Sequence, residues 1–350
     1  MFSFDSKGNN MGRRLENPVR TRDGRTVDST GAFLVGELER LDQTVNMPLV
    51  EYTWGRDIDL RTDVTIADEV ASFTNNSVAS AGGLGTGNGI GNGKSWMQKN
   101  TTQVTSQDVD ISKTPQPMWL WGQEVKYTII ELEQAALLRR PIDQQRIEVL
   151  NMKHQMDIDE QVYIGDLSYR IPGLFNATNT ITPVALPVGV STSSSWLQKS
   201  PDEILADFNT MLTTVWRNSA YAVRPDTIRI PPVRYGYIST AKVATASGLV
   251  SIKRYIEENN LLTVDSGRKL NIESVKWCAG LGVGGTIGDE TTVNRAVCYT
   301  KDRKYVQFPM VPLLRTPIQY DGIYQKFTYY GRLGQVEFRY PETVGYFDGL

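Results

Sequence analysis

The chain has 350 residues, of which 40% are hydrophobic and 22% charged, and its formal net charge is −2 at pH 7. That balance is typical of a globular protein and excludes a chain that is disordered throughout. A dedicated nucleic-acid-binding protein normally carries a basic excess, so any contact with DNA or RNA is expected to be local or weak.

The two cysteines, Cys278 and Cys298, each lie in an alternating apolar segment. Two cysteines cannot make a disulfide framework, so both are expected to be reduced and buried, as in a cytosolic protein. The N-terminal sequence lacks the apolar core of a signal peptide, and no stretch approaches ~18 uninterrupted apolar residues. The sequence therefore predicts a protein that is neither secreted by a standard signal nor membrane-spanning.

The first 30 residues are polar and carry interleaved charges of both signs. Six are basic and four acidic: Lys7, Arg13, Arg14, Arg20, Arg22 and Arg25 against Asp5, Glu16, Asp23 and Asp28. This composition predicts an extended arm of slightly basic sign. Such an arm could make salt-dependent phosphate contacts, remain solvated or clasp another subunit, and the sequence leaves these alternatives open.

Residues 74–93 are uncharged and contain seven glycines and four asparagines. The flanking segments, 64–73 and 96–111, are rich in β-branched residues, so together they predict a long two-stranded hairpin with a glycine tip. An isolated hairpin is marginally stable in water, so we expect its packing partner to be another molecule. The candidate assembly residues are the tip glycines and nearby tryptophans: Gly82, Gly83, Gly85, Gly87, Gly89, Gly91, Gly93, Trp96, Trp119 and Trp121.

Two helical patterns come next, over residues 128–140 and 143–164, with Pro141 predicting a break between them. Trp119 and Trp121 precede this region, where they could serve the core or an interface. A further helix is predicted from Ser200, because a cap serine, a proline at the first helical position and Glu203 form a capping-box sequence.

The rest of the chain mixes strands and helices without regular βαβ alternation, which predicts the α+β class. Residues 249–259 have a helical pattern. Strands are expected at residues 227–230, 270–277, 296–300, 304–310 and 335–340.

Catalytic and metal chemistry finds little support in the sequence. His154 is the only histidine and lies mid-helix without a surrounding signature, so a packed or interface histidine is expected. Asp157, Asp159 and Glu160 could form a cation site, but a solvated helix face with Lys153 pairing Asp157 is favoured. Two distant cysteines and one histidine offer no zinc-type spacing, and no cofactor is predicted.

Two glycine clusters imitate nucleotide-binding motifs. Residues 280–285 match G-x-G-x-x-G after a strand-like segment, yet residues 286–292 are a poor helix start, so a loop is favoured. Gly93, Lys94 and Ser95 end the glycine tract, but Asn88 replaces the first glycine of a P-loop and the strand and helix contexts are missing.

The order of predicted elements, with several local segments, is similar to the major capsid proteins of tailed bacteriophages, which have the Hong Kong 97-type fold. These segments are WLWGQEVKY at 119–127, RPID at 140–143, EQVYIGD at 160–166 and GLFN at 173–176. The likeness covers most of the chain from about residue 30 onward.

The resemblance implies a domain organisation. Residues 1–45 would be an N-terminal arm and residues 63–114 an extended loop lying over a neighbouring subunit. A peripheral domain with the long helix would comprise 46–62, 115–199 and 311–350, and an axial domain would comprise 200–310.

The resemblance also implies a structural, non-enzymatic subunit of an icosahedral virion, assembled in the host cytoplasm into pentamers and hexamers around double-stranded DNA. Portal, scaffold and decoration proteins are its possible partners, and the glycine tip would be a hinge. Two alternatives are an encapsulin-like nanocompartment shell protein of the same fold and a nucleotide-dependent enzyme built on residues 280–285.

Overall fold

A computed structural model describes residues 50–80, 107–138, 142–166, 168–245, 248–282 and 294–350, all within one compact unit, Val50–Leu350. The helices are α1 (Trp54–Asp57), α2 (Ile129–Leu138), α3 (Ile142–Tyr163), α4 (Pro201–Asn218), α5 (Pro232–Thr240), α6 (Ile252–Asn259) and α7 (Leu261–Ser266). Short 3-10 helices lie at Lys276–Gly282 and Pro341–Thr343.

The strands, numbered in chain order, alternate with these helices. They are β1 (Asp59–Arg61), β2 (Val70–Ser80), β3 (Gln107–Pro117), β4 (Trp119–Thr128), β5 (Gly165–Asp166), β6 (Ile171–Pro172), β7 (Val184–Ala185), β8 (Thr227–Ile230), β9 (Lys242–Thr245), β10 (Gly248–Ser251), β11 (Asn271–Ser274), β12 (Arg295–Tyr299), β13 (Val306–Arg315), β14 (Gln319–Asp321), β15 (Tyr324–Leu333), β16 (Glu337–Phe338) and β17 (Val344–Asp348). The mixture confirms the predicted α+β class.

A five-stranded mixed sheet has the order β11-β8-β12-β17-β7. Every residue of β8 and of β12 is buried, because both faces of the sheet are covered. On one face, Ile228 and Cys298 belong to a core cluster that includes residues of α4; on the other, Val297 and Tyr299 cluster with residues of α3. Two faces packed in this way fix the sheet between the two helices.

Helix α4 begins where the sequence predicted. The Ser200 side chain accepts a hydrogen bond from the Glu203 backbone N–H at 3.4 Å, and the Glu203 carboxylate accepts one from the Ser200 N–H at 2.7 Å. A buried ion pair fastens the preceding loop to this helix, since Lys199 Nζ lies 2.6 Å from Asp207 Oδ2 and donates to the Pro187 carbonyl.

A second sheet, of six strands, runs β1-β13-β15-β14, with β16 paired to β13 and β4 paired to β15. The β4–β15 ladder is antiparallel from Trp119 opposite Leu333 to Thr128 opposite Tyr324. Val125 and Phe327 on this ladder pack with Leu150 of α3. This contact places the long helix across the sheet.

The predicted pair of helices at 128–140 and 143–164 is observed as α2 and α3. Helix α2 starts with a reciprocal cap: Thr128 Oγ1 accepts from the Glu131 N–H, and the Glu131 carboxylate accepts from the Thr128 N–H, both at 3.1 Å. The predicted break at Pro141 lies outside the described residues.

Some predicted elements of the second half of the chain differ from the structure. Residues 248–251 form strand β10 against β9, and the helix begins only at Ile252, because the Ser251 side chain accepts the Arg254 N–H. Of the strand predicted at 335–340, only β16 is paired. Glu337 of this strand is buried, and its carboxylate accepts hydrogen bonds from Arg61 Nη1 and Gln307 Nε2, each at 2.9 Å.

Both cysteines are free and fully buried, as predicted. Their burial raises the pKa of each thiol, so neither is a reactive nucleophile. Over the described ranges, no helix combines the length and the apolar character needed to cross a bilayer.

Candidate assembly surfaces

Strands β2 and β3 form a hairpin in the predicted region, paired from Val70 opposite Pro117 to Ser80 opposite Gln107. Strand β2 continues through Ser80 into the tract predicted as the tip, and β3 continues to Pro117, past the predicted end at residue 111. Eleven residues on each strand span roughly 36 Å at ~3.3 Å per residue. The first strand starts later than predicted: Thr65 donates its N–H to Asp68 Oδ2 at 2.7 Å, so a turn precedes Val70.

The two faces of this hairpin differ. Ala71 and Phe73 are buried on one face, and Asn75 on the same face donates to the Arg339 carbonyl at 3.4 Å. Val70 and Ile111 lie on the opposite face and are exposed, Ile111 by 64%. Val70 and Ile111 are six positions apart in the register of the hairpin, so this face carries two separate exposed apolar side chains.

Of the predicted assembly residues, the structure describes only Trp119 and Trp121. The seven candidate glycines between residues 82 and 93, with Trp96, lie outside the described residues. Trp121 is partly buried: its indole Nε1 donates to Asp157 Oδ2 at 2.9 Å, and its ring meets the His154 ring edge-on at 4.7 Å between centroids. The ring centroids of Trp119 and Tyr169 are 6.5 Å apart.

His154 is a buried residue of α3 that packs against Trp121. Burial lowers the pKa of this imidazole, while the nearby Asp157 carboxylate opposes that effect. Its Nε2 has no hydrogen-bond partner among the described residues. The geometry is that of a packed, neutral histidine.

The acidic cluster on α3 divides into two environments. Lys153 pairs with Asp157, as predicted. Asp159 instead is buried, so the predicted solvated face is wrong for this residue: its carboxylate accepts from the backbone N–H groups of Thr53 at 2.8 Å and Trp54 at 3.2 Å and from Trp277 Nε1 at 2.6 Å. These bonds attach α1 to α3. No group of side chains in the described ranges could hold a metal ion.

A buried charge pair connects α1 to the five-stranded sheet. Asp57 and Arg229 are both fully buried, with Arg229 Nε donating to Asp57 Oδ1 at 2.8 Å. The Tyr163 hydroxyl also donates to this carboxylate, and burial followed by the Asp57 charge raises the pKa of that phenol. Sequence reasoning missed this pair, although an arginine between two isoleucines in a predicted strand is a recognisable signal.

The glycine motif at residues 280–285 begins in the 3-10 helix Lys276–Gly282, which comes shortly after β11. In the dinucleotide-binding motif the pyrophosphate lies at the N-terminus of an α-helix that follows the glycines, whereas Gly280 and Gly282 lie at the end of a 3-10 helix. Residues 283–285 lie outside the described ranges.

A cleft of about 580 Å³ opens between the start of β4, the second half of α3 and the β5–β6 hairpin. We call it the tryptophan cleft, since Trp119 and Trp121 form part of its wall. Asp157, Glu160 and Asp166 also line it, and no lysine or arginine is among its lining residues in the described part of the chain.

Comparison with known proteins identifies the family. The family model described as "major capsid protein" matches residues 93–350, which is most of the chain. No curated protein sequence matches.

Solved structures share the fold. The capsid of Myoviridae phage XM1 matches at a TM-score of 0.67 and 15% identity, over 90% of this chain and 98% of that one. The capsid of the native GTA particle matches at 0.55 and 11%, over 92% and 99%. A chain of Gordonia phage Cozz matches at 0.51 and 13%, over 95% and 97%. These likenesses confirm the capsid fold predicted from the sequence segments, and by the family match this chain belongs to the major capsid protein family.

Proposed function

We propose that this chain is the structural subunit of an icosahedral phage shell, in which copies form pentamers and hexamers around double-stranded DNA. The observation that carries the proposal is the family match over residues 93–350. It is supported by the hairpin β2–β3, which offers exposed Val70 and Ile111 on a face that its own body does not cover.

The proposed mechanism is assembly by many weak contacts between unlike surfaces of neighbouring copies, which close by symmetry. The extended loop at 63–114 would lie over a neighbour, with the glycines at its tip acting as a hinge between fivefold and sixfold positions. The peripheral domain would comprise 46–62, 115–199 and 311–350, and the axial domain 200–310, with β17 joining the axial sheet. Residues 1–45 would be the arm.

We assign the protein no catalytic role and no cofactor. The proposed site of action is the virion, with assembly in the host cytoplasm. Portal, decoration and separate scaffold proteins would be its partners, and contact with the enclosed DNA would be weak and non-specific, because the net charge of the chain is near zero.

Deletion of residues 82–93 tests the role of the hairpin tip. The deletion is expected to leave a folded subunit, measured by circular dichroism and thermal unfolding, and to abolish large particles in sedimentation experiments. A matched control replaces the same residues with a glycine, serine and asparagine sequence of equal length, which should still assemble. Normal particles from the deletion would contradict the proposed role.

A further inference from the structure

We propose that a rigid apolar loop at one end of α4 binds a cleft at the other end of α4 in a second copy of this chain. The loop comprises residues 187–193 and is called the valine loop; the cleft opens beside β7 and is called the threonine cleft. The inference rests on the proposed function in one respect, because it requires that copies meet in an assembly. It adds which two surfaces meet.

The valine loop presents two apolar side chains to solvent. Val188 is 67% exposed and Val190 is 94% exposed, more than any other large hydrophobic residue in the described ranges. The surrounding segment, residues 177–198, contains no charged residue. Single exposed apolar side chains are common on protein surfaces, so the significance of this pair depends on how the loop is held.

Two hydrogen bonds fix the valine loop on the N-terminal end of α4. The Glu203 carboxylate accepts the Val190 N–H at 2.7 Å. The Lys199 ammonium, which is buried against Asp207, donates to the Pro187 carbonyl at 2.6 Å. Because the loop is ordered before a partner arrives, binding through it costs little conformational entropy.

A strained residue lies within the loop. The Gly189 N–H donates to the Ser193 carbonyl, and the Thr192 N–H donates to the Gly189 carbonyl, both at 2.9 Å. Thr192 has a φ of +58°, a left-handed conformation that is unfavourable for a β-branched residue. Such strain persists only where the surrounding structure imposes it, and it is concentrated at functional sites. The conformation of the loop therefore indicates a contact surface rather than a passive connection.

The threonine cleft has matching chemistry. It has a volume of about 460 Å³ and lies between β7, the last two turns of α4 and β17. Thr182 and Val184 line it and are exposed, and its two charged lining residues, Arg217 and Glu342, are of opposite sign. A cleft that is neutral overall and partly apolar suits an uncharged loop better than a charged segment.

The two surfaces lie at opposite ends of one helix. Between Glu203, which holds the loop, and Arg217, which lines the cleft, α4 rises roughly 21 Å at ~1.5 Å per residue. The loop, bonded at the first of these ends, therefore does not reach the cleft of its own copy.

Contact between unlike surfaces of identical copies is heterologous, and it repeats from copy to copy until a ring closes. In a ring of five or six copies, every loop and every cleft is covered. An unrelated protein bound at one of the two surfaces would leave the other uncovered. We accordingly assign the threonine cleft to the valine loop of a second copy.

A pair of engineered cysteines tests this assignment. Val190→Cys and Thr182→Cys are placed in the same full-length chain, and the assembled protein is oxidised mildly. A disulfide forms only when the two Cα atoms lie within about 7 Å. Head-to-tail contact should therefore link each copy to the next and give a ladder of covalent products that ends at five and six chains in denaturing electrophoresis. Both native cysteines are buried, so they add no background.

Matched variants control for chance collisions and for misfolding. Each single cysteine variant should remain unlinked, as should Val190→Cys combined with Thr240→Cys, an exposed threonine of α5 outside the cleft. Val190→Asp should leave the thermal unfolding midpoint unchanged and abolish large particles, because a charge would be buried in the cleft. Val233→Asp, at an exposed apolar position of α5, should assemble normally.

The outcomes separate this inference from the proposed function. Shells that give no ladder overturn the inference and leave the function standing, whereas the absence of shells in the unmodified protein overturns the function itself. Covalent dimers from Val190→Cys alone identify a contact between like surfaces and contradict the head-to-tail arrangement. A disulfide formed only within single chains places the loop in its own cleft, and a ladder with Thr240→Cys shows unspecific collision; either result overturns the inference.

Discussion

Arg229 Nε donates a 2.8 Å hydrogen bond to Asp57 Oδ1, and neither side chain retains measurable exposed surface. The two residues are 172 positions apart and join α1 to β8. Because the Tyr163 hydroxyl bonds the other oxygen of this carboxylate, two distant parts of the chain, β8 and α3, hold the charge of Asp57. Removing one partner leaves the other polar group buried without a hydrogen-bond partner, and this destabilises the folded state because water cannot replace the lost bond.

Asp57→Ala is expected to lower the free energy of unfolding by about 3–5 kcal/mol, since it leaves the Arg229 charge buried without its partner. Denaturant unfolding of the subunit measures this change. Asp63→Ala is the control, because its carboxylate pairs with Arg61 on the exposed surface and should cost at most about 1 kcal/mol. Similar losses for the two variants would show that Asp57 is not a buried ionic anchor.

His154 predicts a pH dependence of stability. Burial lowers the pKa of its imidazole in the folded chain, whereas the unfolded chain titrates near ~6.5. The unfolded state thus binds more protons just below that pH, so stability falls as pH falls through this window towards the folded pKa. His154→Phe keeps an aromatic ring against Trp121 and removes the proton site. Thermal unfolding across this pH range should show a shallower slope for the variant, and an unchanged slope would refute the assignment.

Ile111→Asp separates folding from assembly. Because Ile111 is exposed on the uncovered face of β3, the change should alter subunit stability by no more than about 0.5 kcal/mol. It should nevertheless prevent large particles, as a charge would be buried against the neighbour. Light scattering and unfolding midpoints measure the two effects. Val264→Asp places the same charge at an exposed apolar site on α7 and should assemble normally; assembly by the Ile111 variant would argue against the hairpin contact.

The N-terminal cap of α4 gives a local test of the fold. Ser200→Ala removes the side-chain acceptor of the Glu203 N–H and should cost about 1 kcal/mol. Thr213→Ala, on the exposed side of the same helix, removes a hydroxyl that bonds only within the helix and should change the unfolding free energy much less. Equal changes in the unfolding free energy of the two variants would show that the Ser200 cap does not stabilise the helix.

The predictable elements were those whose signals are local. The Ser200 cap is short-range chemistry, so the start of α4 is determined by neighbouring residues. The existence of the hairpin was also predictable. Its first strand nevertheless begins only at Val70, because the Asp68 carboxylate accepts the Thr65 N–H in a turn, and β propensity does not reveal such a bond.

Contacts between distant segments were not predictable. Strand β4 was missed because its pairing partner, β15, lies about two hundred residues later, and its exposed Gly122 and Gln123 weaken the strand pattern. Asp159 was assigned to solvent because helical spacing alone cannot show that Thr53, Trp54 and Trp277 arrive to bond it. The tryptophan cleft likewise exists only once β4, α3 and the β5–β6 hairpin meet.

Electron microscopy of the purified recombinant chain tests the central claim most directly. The account predicts closed shells or rings of five and six subunits, with the projecting loop of one copy lying over the next. A uniform population of small particles under all assembly conditions, with affinity for a dinucleotide, would contradict it and favour the nucleotide-dependent alternative.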